Sequence, residues 1–418
     1  MRRLPALGWS AVVAALVLYQ ALNARAILTP DLNDFGRFWA SSRAVLDGRS
    51  PYLAAIPATA TGPVVDRNLN SPPVVYALAP LGLFAPRTAL AIWAALSLTA
   101  VAGVFRLTIP VRPGSAGPML ALALSLGATG AQLKTGQIAF LIALPMAFSW
   151  RAMREKRTGR AGVWMGICLV AKPFLVLFPV VWILQRRYRP ALASLAVTGG
   201  LHAVGLLCAG VTQYAEWWSL LRGVYWSALG LNLSITGFAQ RVWQSDNPIF
   251  LPLWHEPRMV WLTVALLTAG ALAFAYWWAR QEREPDRDFL VVGLMALLVS
   301  PLGWAYYLWL IMPPFCVVAM EWLSARDTRS DWAIVAVMLL CVPAPALTAG
   351  QPNGLLTVTI GSAYFWGAIL ILRNAAVDAR HAHHVAQLRH TERKRGDQSR
   401  SVRRGDHAGA VSELTPEV

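Results

Sequence analysis

The sequence predicts an all-α, polytopic membrane protein of about 12 spans, with several short or broken helices and two large outer loops. Two observations carry this. Hydrophobic residues make up 56% of the 418 residues and charged residues only 14%, whereas a soluble domain has about 25% charged. The apolar residues also recur in runs along most of the chain, as membrane helices require. The alternating short strands of a transmembrane β-barrel are absent.

In chain order, spans are expected at about 8–28, 88–108, 117–129, 136–152, 161–171, 173–185, 190–209, 258–278, 289–301, 303–321, 332–348 and 357–373. The first begins Met-Arg-Arg and runs apolar through Leu28. No small-residue cleavage site stands out, so we read a retained span rather than a signal peptide. Four of the runs hold only 11–13 residues, too few to cross a ~30 Å core upright, which takes ~20 residues. These pieces are expected as broken or re-entrant hairpins, which membranes tolerate where protein or a watery cavity surrounds them.

Charge orients the chain. With the N-terminus inside, short inner loops hold 18 Lys and Arg, including the run RAMREKRTGR at 151–160, against 11 in longer outer loops. The positive-inside rule favours this topology, with both termini cytoplasmic. The net charge of +16 therefore reflects residues scattered between spans, plus eight in the tail, and implies no nucleic-acid partner. Residues 1–373 read as one transmembrane domain and 374–418 as a basic, disordered tail. His381, His383, His384 and His390 of that tail read as solvated rather than metal-bound. Cys168, Cys208, Cys316 and Cys341 lie in or beside apolar runs without CxxC spacing, so neither zinc nor disulfides are expected.

Residues 29–87 and 210–257 then face outward. In the first, Phe35, Phe38, Trp39, Val45 and Leu46 share a helical face suited to the bilayer surface. In the second, Trp217, Trp218, Tyr225, Trp226 and Trp243 suit a headgroup-level belt or a sugar-binding surface.

Five places hold residues able to do chemistry. Asp34, just outside the first span, is a candidate general base; it also suits the N-cap of the following helix, as do Asp31 and Asn33. Lys172, in VAKPFLVLFP, is a lone cation between two apolar half-spans, with Pro173 breaking the helix. It either binds a lipid phosphate or snorkels to the interface. Lys134 and Gln137 sit in GAQLKTGQ, either a plain turn or a holder of phosphate or sugar hydroxyls. Asn232 and Ser234 sit in NLSITG, a glycosylation acceptor triplet or a set of sugar-binding groups. SPLGWAYY at 300–307 interrupts an apolar run with Pro301 and Gly303, then offers Trp304, Tyr306 and Tyr307. No GxxxxGK[ST] or GxGxxG fingerprint and no outer DxD pair appears, and His202 and His255 alone precede the tail. No metal or other cofactor is expected.

Taken together, Asp34 with Phe38, Gly48 and Tyr52, SPP at 71–73 with Pro80, TGQ at 135–137, Lys172, NLSITG and SPLGW resemble glycosyltransferase family 87. These are polyprenyl-phosphate-mannose-dependent mannosyltransferases of the GT-C type. The resemblance spans roughly residues 8–373. It implies an inverting hexosyl transfer at the extracytoplasmic face of the cell (inner) membrane. The donor is then a polyprenyl-phosphate sugar and the acceptor a glycolipid or envelope glycan. It implies that Asp34 is the base, with Lys172, Lys134, Gln137, Arg37, Asn232, Ser234, Trp304, Tyr306 and Tyr307 as candidates for holding the donor's phosphate or sugar. One departure stands out: Tyr306 and Tyr307 occupy positions where family members often carry histidine, and tyrosine cannot shuttle protons near neutral pH. The competing reading is a transporter or flippase of lipid-linked glycans, but no internal repeat between the halves supports it.

Overall fold

The computed structural model describes residues 34–53, 68–223, 228–244, 251–281, 284–325, 328–343 and 353–379. The expected span at 8–28, Asp31, Asn33, Asp66, Tyr225, Trp226, Asp246 and everything after Ala379 lie outside these residues. The chain divides into two compact units, Met1–Leu370 and Ile371–Val418. Of the second, residues 371–379 are described and are helical.

Among the described residues no strand forms. The order is α1 (Asp34–Leu46), α2 (Pro72–Leu78) with a 3-10 turn (Ala79–Leu83), α3 (Pro86–Thr108), α4 (Ala116–Ser125), α5 (Gly127–Thr135), α6 (Ala139–Arg154) and α7 (Thr158–Ala171). A 3-10 turn (Pro173–Val176), α8 (Leu177–Leu184), α9 (Tyr188–Arg222), α10 (Ile235–Trp243), α11 (Pro257–Ala279) and α12 (Pro285–Val299) follow. Next come a 3-10 segment (Ala305–Ile311), α13 (Met312–Ser324), α14 (Thr328–Cys341) and α15 (Gly354–Val358). Proline opens α2, α3, α11 and α12, where its missing N–H costs nothing.

Several helices are long and apolar enough to span a bilayer, so the chain is an integral membrane protein. Five among the described residues meet that test: Pro86–Val111, Tyr188–Arg222, Pro257–Ala279, Ala305–Ser324 and Gly354–Ala379. Pro113–Ser125 and Gly127–Thr135, bent by 57°, add a sixth if they are one span. Of the twelve expected runs, 8–28 lies outside the described residues, and several others are helices too short to meet that test. The apolar runs 161–171 and 173–185 are short helices parted at Lys172, where Pro173 disfavours helical backbone in the residue before it (φ −139°, ψ 87°). The run 289–301 belongs to α12, which opens on two buried carboxylates, Asp286 and Asp288.

Burial sorts the spans. In Ala305–Ser324, 83% of the apolar window is buried, against 17% in Tyr188–Arg222 and 11% in Pro257–Ala279. The first is the core of the bundle, and the other two leave apolar surface for lipid. Helix α9 packs closely on α7 because Gly162 and Gly166 present no side chain there. A Cβ on Gly162 would lie 2.3 Å from the Pro190 carbonyl oxygen, and one on Gly166 would lie 2.7 Å from that of Ser194. This is small-xxx-small packing, which drives helix association in lipid through close backbone contact.

Helix α9 is not straight. Gly210 has φ +76° and ψ 167°, which breaks the ladder. His202 and Tyr214 would stand about 18 Å apart along an unbroken helix, yet their ring centroids are 5.9 Å apart. The chain therefore folds back at Gly210. Pro173, His202, Leu206, Val211, Tyr214 and Trp217 line a cleft of about 580 Å³ there, almost wholly apolar.

The two ends of the bundle differ in chemistry. At one end, the Trp150 indole N–H donates to Asp286 at 2.9 Å, and Arg154 pairs with the same carboxylate. Beside it, Asp288 receives Trp278 Nε1 at 3.0 Å, Arg187 at 3.1 Å and Gln185 at 3.3 Å. These bonds tie the close of α6, the α8–α9 turn and the close of α11 to the start of α12. The basic runs of the expected inner loops lie here. The start of α6 and the ends of α7 and α12 lie at the opposite end.

Candidate active site

Helix α1 brings the first carboxylate to that opposite end. Phe35, Phe38, Ser41, Ser42 and Ala44 form its buried face. Phe35 and Phe38 meet Trp93 of α3, with ring centroids 5.8 and 5.3 Å apart. Ser42 donates to the Leu78 carbonyl at 2.8 Å, and Trp39 Nε1 donates to that of Phe84 at 3.0 Å. This corrects the bilayer-surface expectation for the Phe35–Phe38 face, whose partner is the protein itself.

That packing sets Asp34, at the first residue of α1, against the turn after α5. Gln137 Nε2 donates to Asp34 Oδ2. Arg37, one turn on, pairs with Oδ1 at 2.6 Å. Gly136 shapes the turn with φ +64°, and its carbonyl accepts from Trp93 Nε1 at 3.0 Å. Each carboxylate oxygen thus has a donor. Lys134, three residues before Gln137, is exposed on the last turn of α5.

Lys172 lies at the end of α7, 9% exposed. Its ammonium donates to Asn70 Oδ1 at 3.0 Å and sits 4.7 Å from the centroid of the Tyr307 ring, a cation–π contact. Asn70 is held in turn: the Tyr52 hydroxyl donates to its carbonyl at 2.9 Å, and its side-chain Nδ2 donates to Asn68 Oδ1 at 2.8 Å. Burial raises the Tyr52 phenol above its usual range, so it serves as a neutral donor. Ser71 anchors this segment to α7, donating to the Val170 carbonyl at 2.6 Å.

Tyr306 and Tyr307 connect the two groups. They pack edge-to-face at 4.7 Å, Tyr306 stacks on Trp304 at 6.2 Å, and Phe174 backs Tyr307 at 5.4 Å. Asp34 lies close enough to act electrostatically on Lys172, Tyr306 and Tyr307. The structure therefore brings Asp34, Arg37, Gln137, Lys172, Tyr306 and Tyr307 into one region.

Asn232 and Ser234 are placed differently. Both are fully buried. Asn232 Nδ2 and Ser234 Oγ both donate to the Pro301 carbonyl, at 3.0 and 3.2 Å, and Asn232 Oδ1 accepts the Ser234 N–H at 3.1 Å. Backbone bonds Leu233 N to Gly303 O (2.8 Å) and Ala305 N to Leu231 O (2.7 Å) complete a clamp between NLSITG and SPLGW. Ser234 also caps α10 through the Gly237 N–H. These side chains hold the turn that presents Trp304, Tyr306 and Tyr307.

Gly303 is required in that clamp, since a Cβ there would lie 2.1 Å from the Leu297 carbonyl oxygen. Gly303→Ala is expected to cost about 1–3 kcal/mol, as overpacking does. Thermal unfolding in detergent should show a lower Tm than wild type, and an unchanged Tm would contradict the clamp.

Three groups escaped sequence reasoning. Asn68 and Asn70 looked like any polar loop residues; only their i, i+2 spacing ahead of SPP was visible. Arg241 counted as an outer-loop charge. It is fully buried, donating to the Leu229 and Asn232 carbonyls at 3.0 Å each and to Ser362 Oγ at 2.8 Å. The Asp286–Asp288 network at the far end carried no sequence signal beyond two acids opening a helix. Among the described residues no group of three or more His, Cys, Asp or Glu is placed to hold a metal ion.

The sequence profile of glycosyltransferase family 87 matches residues 68–301. A curated relative from Mycobacterium tuberculosis (strain ATCC 25618 / H37Rv) is 23% identical over 225 residues, 50% of this chain. It is the polyprenol-phosphate-mannose-dependent alpha-(1-2)-phosphatidylinositol mannoside mannosyltransferase, and the match spans about half (49%) of its length. The crystal structure of ArnT from Cupriavidus metallidurans in the apo state aligns over 90% of this chain and 78% of its own, with 14% identity and a TM-score of 0.35.

Proposed function

Because the chain belongs to glycosyltransferase family 87, we propose that it transfers mannose, with inversion, from a polyprenyl-phosphate donor to a glycolipid or envelope glycan acceptor at the extracytoplasmic face. The observation that carries this reading is a clamped carboxylate, Asp34, whose charge reaches a buried ammonium, Lys172, seated over the Tyr307 ring. Transfer needs both. Asp34 takes the proton of the acceptor hydroxyl as its oxygen bonds to the sugar's anomeric carbon. The bond from that carbon to the phosphate oxygen breaks, and the electron pair leaves with polyprenyl phosphate. Lys172 stabilises the departing charge. Arg37 and Gln137 hold Asp34 toward the acceptor. The Tyr306 and Tyr307 hydroxyls and the Trp304 face are assigned to the sugar, and exposed Lys134 to the approach of anionic substrate. Phosphate is a good leaving group, so this chemistry asks for no metal.

The placement of the basic turns at the other end of the bundle supports an outward-facing site. Mannose is favoured because the mycobacterial relative is named for a polyprenol-phosphate-mannose donor. The test is transfer of labelled sugar in membranes carrying the wild-type chain. Incorporation from polyprenyl-phosphate-mannose, and not from the glucose or arabinose counterparts, is the expected result. Incorporation from one of the others alone would replace the sugar. Incorporation from none would overturn the polyprenyl-phosphate reading.

A further inference from the structure

Hydrogen-bond accounting around Lys172 leaves spare buried donors. An ammonium only donates, so the Asn70 atom at 3.0 Å from it is Oδ1. Asn70 Nδ2 then faces Asn68 Oδ1 at 2.8 Å, and the same oxygen accepts the Asn70 backbone N–H at 3.0 Å. Flipping either amide would set donor against donor, so both orientations are fixed. Asn68, Asn70 and Lys172 are 4%, 4% and 9% exposed. Asn68 Nδ2 has no hydrogen-bond partner among the described residues. The unused protons of Lys172 and this buried amide are donors that only an acceptor-rich group satisfies. Asp34, whose charge reaches Lys172, already has both oxygens engaged by Arg37 and Gln137.

A second observation gives the rest of the ligand. Pro173, the residue after Lys172, forms a wall of the apolar cleft between the two arms of α9. At about 580 Å³ the cleft falls within the range of small-molecule sites, ~300–1,000 Å³. Spare donors next to an apolar cleft fit a phosphate ester of a long hydrocarbon.

We propose that Asn68 Nδ2 and Lys172 Nζ together bind the phosphate oxygens of the donor lipid, whose chain enters the cleft beside Pro173. This rests on the polyprenyl-phosphate reading above and deepens it by naming a second phosphate ligand and the seat of the chain.

Asn68→Asp tests it. The aspartate keeps an acceptor for both Asn70 donors and replaces the spare amide by a negative oxygen. Donor KM is expected to rise about 10- to 100-fold, the usual weight of a lost bond to a charged group. The inhibition constant of the product, polyprenyl phosphate, should rise in step, with membrane abundance unchanged. An unchanged KM and inhibition constant would overturn the inference while leaving the transferase reading intact. Wild type that neither transfers from nor binds any polyprenyl phosphate would overturn both.

Competition on the wild-type enzyme needs no variant. A long-chain polyprenyl phosphate should inhibit better than geranyl phosphate, and geranyl phosphate better than inorganic phosphate. Free polyprenol should inhibit least. Polyprenol matching its phosphate would refute the anion site, and inorganic phosphate matching the lipid would refute the chain's place in the cleft.

Discussion

Asp34→Asn is expected to lower sugar transfer by about 10²–10⁴-fold, the contribution of a positioned general base. The amide is nearly isosteric, and its oxygen can accept from Gln137 or Arg37, so the chain should still reach the membrane in normal amount. What it lacks is a lone pair basic enough to take the acceptor proton. Donor KM should change little, because the base acts on the acceptor. The readout is transfer of labelled sugar at matched abundance, with Asp34→Glu as a companion that keeps the carboxylate but shifts it by one methylene. Full activity in Asp34→Asn would remove the base assignment. Asp31, three residues earlier and outside the described residues, would be the next carboxylate to replace.

Lys172→Gln is expected to cost about 10²–10³-fold in transfer, in the range found when one preorganised group that stabilises developing charge is removed. Glutamine retains an N–H for Asn70 Oδ1, so the held geometry of residues 68–70 has a substitute partner. It has no charge for a departing phosphate. Because that charge develops as the bond breaks, kcat should fall further than donor KM rises. A donor bearing a more acidic, better leaving group should lose less in the variant than the natural phosphate does. Equal losses for both donors would mean that Lys172 serves the fold rather than the leaving group.

How far the sequence reached differs from residue to residue. Lys172 was visible because a cation flanked by apolar half-spans is costly, and such costs persist where they are used. Its partners were not visible. Asn68 and Asn70 precede it by about a hundred residues, and nothing in a polar triplet shows which carbonyl faces an ammonium. Asn232 and Ser234 show the opposite case. Their polarity drew attention, but both side chains donate to the Pro301 carbonyl, Asn232 Oδ1 accepts the Ser234 N–H and Ser234 Oγ accepts the Gly237 N–H. Phe35 and Phe38 were rightly placed on one helical face, while the choice between lipid and Trp93 as the partner was beyond a periodicity. Apolar runs were found at nearly every helix. Whether each is a span of its own lies beyond a hydropathy pattern, because a break such as Lys172–Pro173 looks the same whether or not two pieces cross together.

By itself, then, the sequence determined that this is a helical membrane protein, which chain segments are apolar, and that Asp34 and Lys172 stand out chemically. Composition and local pattern decide those properties, since each depends on a residue and its near neighbours. Only the tertiary structure decided that Gln137 and Arg37 clamp Asp34, that two asparagines orient Lys172, and that α9 bends back to open a cleft. Gln137 meets Asp34 across 103 positions and Asn70 meets Lys172 across 102, while Gly210 turns α9 back so that His202 meets Tyr214. A hydrogen bond or a close backbone contact has no signature in either partner's sequence until packing brings the two together.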